Sequence, residues 1–150
     1  MEFVDLPEQT TATRRALLPT AELPAFFAAV YADVMAAVVA QGLTAIGEPF
    51  AAYHGMPGET VDVEAGMPVD GVLADTDDIR ASTLPACRAA VAIHVGPFEG
   101  LADTWGELMA WVGAQDLSPS GPVFWESYLT DPEAQPDPST WRTRLVIPVG

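Results

Sequence analysis

Residues 25–50, AFFAAVYADVMAAVVAQGLTAIGEPF, fall without a gap on residues 99–124, EGLADTWGELMAWVGAQDLSPSGPVF, when shifted by 74 positions. Nine of the 26 positions are identical, running from Ala28/Ala102 through Met35/Met109, Val38/Val112 and Gln41/Gln115 to Gly47/Gly121 and Phe50/Phe124. Tyr31 meets Trp105 as an aromatic pair. Alanine-rich helices align easily, but this match continues through the loop into the next strand, so it marks an internal duplication. The second copy interprets the first. Leu23–Ile46 holds a single charge, Asp33, and is long enough to be weighed as a membrane span. Its counterpart carries Asp103, Glu107 and Asp116, while Leu101, Trp105, Leu108, Met109 and Val112 recur at the spacing of an amphipathic helix. Both copies are therefore read as core-packed helices, and no membrane span is expected.

On either side of the duplicated stretch each half reads as strand, helix, strand, strand. In the first half, Phe3–Leu18 holds extended segments, a helix runs from about Leu23 to Gln41, and Gly42 is placed to stop it. Glu48–His54 and Thr60–Ala65 alternate as strands about the turn Met56-Pro57-Gly58. In the second half, Ala86–His94 is a strand, Gly96-Pro97 opens the helix, and Val123–Leu129 and Trp141–Val149 are strands around the polar loop 130–139. The expected fold is α+β: one domain over 1–150, with module one at about 1–67, a linker at 68–78 and module two at about 79–150. The modules form an antiparallel sheet with two main helices and a groove across a pseudo-twofold axis.

The chain has six arginines, no lysine and 21 carboxylates, a formal charge of −15 spread over both halves. Such a surface repels phosphates, so no direct nucleic-acid partner and no anionic membrane is expected. With 49% hydrophobic residues the chain has enough apolar material for a core. Cys87 is the only cysteine, which excludes an internal disulfide and suits a reducing cytoplasm. The start MEFVDLPEQ has no apolar signal region. Asp75-Thr76-Asp77-Asp78 lacks the glycine and distal glutamate of a calcium loop and reads as a solvated turn. No metal site and no cofactor is expected: two histidines and one cysteine are too few for a zinc site, and a haem would have to rest on His54 or His94. GxSxG, P-loop and HExxH motifs are absent.

The segment Phe124-Trp125-Glu126-Ser127-Tyr128 carries the most chemical information. Alternation puts Phe124, Glu126 and Tyr128 on one face of a strand and Trp125 and Ser127 on the other. A carboxylate between aromatics is costly to bury unpaired, so either that face is wet or Glu126 meets a partner. By the shift of 74, Phe50, Ala52 and His54 take the places of Phe124, Glu126 and Tyr128, which makes the acid private to the second half. Phe27, Tyr31, Tyr53, Trp105, Trp125 and Tyr128 are candidates to complete an aromatic cage for flat or cationic molecules, with Tyr31 and Trp105 equally readable as core. His94, at a strand-to-helix corner, reads as a packing residue.

Taken in order, His94-Val-Gly-Pro-Phe98, the helix with Leu101, Trp105, Leu108 and Trp111, the run Gly121-Pro-Val-Phe-Trp-Glu-Ser-Tyr-Leu-Thr-Asp-Pro132, and Trp141-Arg-Thr-Arg-Leu-Val-Ile-Pro-Val149 resemble the GyrI-like small-molecule-binding family. This is the effector-binding domain of AraC- and MerR-type regulators. The resemblance implies two strand-helix-strand-strand modules with a ligand groove between them. It also implies that Glu126, flanked by Trp125 and Tyr128, contacts aromatic or cationic ligands. Relatives often read Thr-Glu in the last strand where this chain has Thr143-Arg144, so Arg144 is expected to answer Glu126 if both face the groove. No helix-turn-helix precedes the domain, so a stand-alone member is expected. Three roles follow from the resemblance. The first is sensing or sequestration of a small aromatic or hydrophobic molecule. The second is hydrolysis of cyclopropane-bearing natural products, with Glu126 as general base and Tyr128 or Tyr53 as proton donor. The third is a protein-partner role such as gyrase inhibition. Oligomeric state is not readable.

Overall fold

The computed structural model describes residues 1–76 and 78–150; Asp77, in the acidic turn, lies outside the described residues. In chain order the elements are β1 (Glu2–Leu6), β2 (Gln9–Pro19), α1 (Leu23–Ala40), β3 (Phe50–His54), β4 (Thr60–Pro68), β5 (Arg80–Leu84), β6 (Cys87–Val95), α2 (Leu101–Ala114), β7 (Val123–Tyr128) and β8 (Arg142–Pro148). All eight strands join one antiparallel sheet in the order β1-β6-β8-β7-β3-β4-β2-β5. Read from either end, this order is the same once each half is exchanged for the other: β2-α1-β3-β4 matches β6-α2-β7-β8, and β5 matches β1. The protein is thus α+β with internal pseudo-twofold symmetry. The outer strands are exchanged. β1 pairs with β6 of the second half, and β5 pairs with β2 of the first.

The helices begin and end for local reasons. Pro24 sits in the first turn of α1, where a missing N–H costs no hydrogen bond. Gly42, at φ 71°, closes α1 with Leu43 N–H donating to the Val38 carbonyl at 3.0 Å. Asp116, at φ 58°, does the same for α2, with Leu117 N–H reaching the Val112 carbonyl at 3.3 Å. These two stops are 74 positions apart, as the repeat requires. α1 is longer by one turn, residues 23–26, at its start.

Both helices lie on one face of the sheet. Val30, Val34 and Val38 of α1 pack on Ala51, Val61, Val63, Ala65 and Met67. Leu108 and Val112 of α2 pack on Ala90, Ala92, Leu145 and Ile147. Only that valine stripe of α1 is buried, so the helix is not enclosed on most of its circumference; Ala28, Ala32, Met35 and Val39 face outward. By length and composition α1 is apolar enough to cross a membrane, and here its stripe is docked on the sheet. On the helix-free face, Phe50, Ala52, Trp125, Val91 and Val146 form a second core. Leu84 from one sheet edge and Val4 and Leu6 from the other join it, so the sheet curls toward that side. Gly66 lets β2 and β4 approach closely, since a Cβ there would overlap the carbonyl of Ala12.

The shift of 74 does not persist into the strands. The bridges Ala45–Val69 and Pro119–Val149 still obey it at their first members. In the sheet, however, Phe50 pairs with Gly66 and Trp125 with Val146, so β3 and β7 are related by 75 positions. One residue has been added between the loop and β7. Ala51 is therefore the counterpart of Glu126 and Tyr53 that of Tyr128; the assignment of Ala52 and His54 to those places is off by one, and on the wrong face.

Candidate functional site

The central pair β3–β7 delivers the site. In its register Ala51 lies opposite Glu126 and Tyr53 opposite Phe124, so Tyr53, Phe124, Glu126 and Tyr128 share the helix-bearing face. A groove of about 550 Å³ opens above them. Its floor is Tyr53, Phe124 and Glu126. One wall is α2, through Leu101, Ala102, Trp105, Gly106 and Met109. The other is Leu23 at the start of α1 together with the turn residues Met56 and Pro57. Both halves thus contribute. Ala102 and Gly106 lie four residues apart on α2, so the helix presents a row of small residues beside the row of Trp105 and Met109.

Glu126 is only 4% exposed. Its Oε1 accepts hydrogen bonds from the hydroxyls of Tyr53 and Tyr128, both at 2.9 Å, and its Oε2 accepts from Trp105 Nε1 at 3.4 Å. Among the described residues no arginine or histidine nitrogen lies within 4.0 Å of it. Burial pushes the carboxyl above its ordinary range; the hydrogen bonds from Tyr53, Tyr128 and Trp105, and the more distant His94, pull the other way and do not overcome it. The tyrosines respond in kind. Burial and then the neighbouring carboxylate raise the Tyr53 and Tyr128 hydroxyls well above the usual phenol range, so both remain donors.

The remaining aromatics support this group from behind. Tyr31 donates to the Phe50 carbonyl at 3.0 Å and sets its ring edge-on to Tyr128, with centroids 6.0 Å apart. Phe27 stacks on Tyr31 at 6.3 Å. Phe98 packs against both Tyr128 and Trp141, at 5.8 and 4.9 Å. Trp105 and Tyr53 flank Phe124 at 5.0 and 5.4 Å. His94 is bound on both sides, Nδ1 to Thr104 Oγ1 at 2.7 Å and Nε2 to the Pro97 carbonyl at 2.9 Å, and it fixes the corner leading into α2.

Of the residues singled out in the sequence, Glu126, Tyr53, Trp105 and Phe124 line the groove, Tyr128 holds the carboxylate, and Tyr31 and Phe27 buttress it. Trp125 and Arg144 do not join them. Arg144 pairs with Ser127 across β7–β8 and, with Trp125, lines a separate cavity on the helix-free face. Arg144 therefore does not answer Glu126, because one step along a strand reverses the face. Leu23, Met56, Pro57, Leu101, Ala102, Gly106 and Met109 were not anticipated as lining. The small pair Ala102/Gly106 was the available signal for the α2 wall.

The solved structures place this geometry in context. The crystal structure of the EcmrR C-terminal domain superimposes with a TM-score of 0.88 at 23% identity, covering 99% of this chain and 96% of that one. In the cryo-EM EcmrR–DNA complex the same likeness, TM-score 0.88 at 24% identity, covers 99% of this chain but 56% of that one, so the chain spans little more than half of that protein. SAV2435 bound to tetraphenylphosphonium matches with a TM-score of 0.70 at 11% identity, over 99% of this chain and 93% of that one. None of the curated protein sequences compared with the chain matches it. The family model for the GyrI-like small molecule binding domain matches residues 1–150, and the chain belongs to that family.

Proposed function

We propose that the groove takes an aromatic, hydrophobic and preferably cationic small molecule, and that the protein acts by sensing or sequestering it in the cytoplasm. One observation carries this reading: a carboxylate with three hydrogen-bond donors and no positive partner lies at the floor of an apolar groove. A lipophilic cation supplies the missing charge without requiring Glu126 to be rehydrated, and the rings of Trp105, Tyr53 and Phe124 supply stacking surface. The tetraphenylphosphonium complex of SAV2435 shows that another protein of this fold accepts such a molecule. The reducing compartment is supported only by the unpaired thiol of Cys87.

Titration with tetraphenylphosphonium tests the proposal. A saturable one-to-one isotherm with quenching of tryptophan emission supports it; an isotherm that never saturates rejects it. The hydrolase reading draws on the same residues, since Tyr53 and Tyr128 stand within hydrogen-bonding distance of the carboxylate. Incubation with a spirocyclopropane-bearing aromatic separates the two. Ring-opened product identifies an enzyme, whereas stoichiometric binding without product supports a binding protein.

A further inference from the structure

We infer that the helix-free face carries a second binding site, built around Arg144, for a short-chain carboxylate. β7 alternates between two faces, so the strand that presents Glu126 and Tyr128 to the groove presents Trp125 and Ser127 to the opposite side. There they meet Arg144 and Val146 of β8, and a cavity of about 100 Å³ lies between them, Phe50, Gln9 and the edge residues Leu6 and Leu84.

Arg144 is the positive group among the residues lining this cavity. Arg144 is half-buried, and among the described residues it makes no side-chain hydrogen bond and has no carboxylate oxygen within 4.0 Å. Ser127, 8% exposed, and Trp125, 4% exposed, line the same cavity beside it. The neighbouring charged side chains on this face are answered: Glu64 takes Thr13 Oγ1 at 2.7 Å and His54 Nε2 at 2.8 Å, and Arg15 holds Asp62 at 2.8 and 2.9 Å. A guanidinium on a cavity wall with no carboxylate partner ordinarily finds an acceptor, so Arg144 marks a place for an anion.

The rest of the lining narrows the class. A guanidinium matches a planar carboxylate through two parallel hydrogen bonds. Leu6, Leu84, Phe50 and Val146 offer an apolar pocket to a short alkyl chain and little to a fully hydrated phosphate. Glu48, exposed at the rim, disfavours anions with a second charge. The cavity volume suits an acid of a few carbon atoms, such as propionate.

The test is a titration of the ¹³C,¹⁵N-labelled protein with sodium propionate, against sodium chloride and sodium phosphate at equal ionic strength. Saturable shifts at the Leu6 and Leu84 methyls and the Trp125 indole are expected with propionate alone. Arg144→Gln weakens them by about tenfold or more, as loss of a charged hydrogen-bond donor does. Glu126→Gln leaves them unchanged. Equal shifts with all three salts, saturable shifts confined to the Glu126 groove, or a propionate response that survives in folded Arg144→Gln would each overturn the site. Should Arg144→Gln fail to fold, the location and anion selectivity of the wild-type shifts decide the matter alone.

Discussion

Replacing Glu126 by glutamine keeps the shape of the groove floor and removes its charge, which makes it the sharpest test of what the buried acid does. The glutamine oxygen can still accept from Tyr53 and Tyr128, the two bonds that Oε1 receives at 2.9 Å. Its amide then faces Trp105 Nε1, so the weakest of the three contacts, at 3.4 Å, is lost. The charge effect is larger. A cation centred about 5 Å from the carboxylate at an effective dielectric of about 20 gains roughly 3.3 kcal/mol, which corresponds to about 250-fold in affinity. Allowing for the lost tryptophan contact and residual solvation, tetraphenylphosphonium should bind Glu126→Gln about 100-fold more weakly, and neutral triphenylphosphine oxide should change by less than about threefold. Calorimetric titration at pH 8 and fixed low ionic strength reads both. A cation affinity within threefold of wild type would show that Glu126 is not the counter-charge. Equal losses for both ligands would show that the side chain acts through shape alone.

Because burial raises the Glu126 carboxyl in the folded state, that state retains its proton to higher pH than the unfolded chain does. Stability contributed by this group is therefore full below the ordinary carboxylate range and falls as pH rises through the raised value. Urea denaturation between pH 4 and 8 should show that decline in wild type and its loss in Glu126→Gln, while cation affinity climbs over the same window. Tyr53→Phe removes a donor from the carboxylate and should move both transitions to higher pH, with a cost of about 1.5–3 kcal/mol to the ionised form; unchanged profiles would deny the bond its role. Gly66→Ala places a methyl on the Ala12 carbonyl and should destabilise by about 3 kcal/mol or more, measured as a lowered urea midpoint. Arg15→Ala breaks only an exposed pair with Asp62 and should cost less than about 1 kcal/mol in the same assay.

The helices were legible because their phase is written locally. Val34 and Leu108, or Val38 and Val112, are 74 positions apart in sequence and equivalent in packing. Strand faces were legible only within a strand. Alternation correctly separates Glu126 from Trp125, but it says nothing about which residue of the neighbouring strand lies alongside, so Arg144 could not be placed. The identity Phe50/Phe124 misled for a related reason. One residue added before β7 leaves the letters aligned while turning the side chains over: Phe50 lies in the helix-free core, as Trp125 does, and Phe124 faces the groove. The turn Met56-Pro57 was read as a turn, but only the curl of the sheet brings it over the groove. Strand β5, at the start of the stretch assigned to module two, has too little apolar alternation to stand out.

The exchange of outer strands has a consequence for how the molecule comes into being. Glu2 of β1 pairs with Val91, about 90 residues later in the chain. On a ribosome adding 5–20 residues per second, β1 waits about 5–20 s for its neighbour to be made. In that interval α1, β3, β4 and β5 are made in turn and β2 finds β4 and then β5, whereas Phe3, Val4 and Leu6 still await β6. β1 thus cannot be seated until β6 is made, after every other strand of the first half, and the nascent chain spends seconds with a short apolar segment awaiting capture.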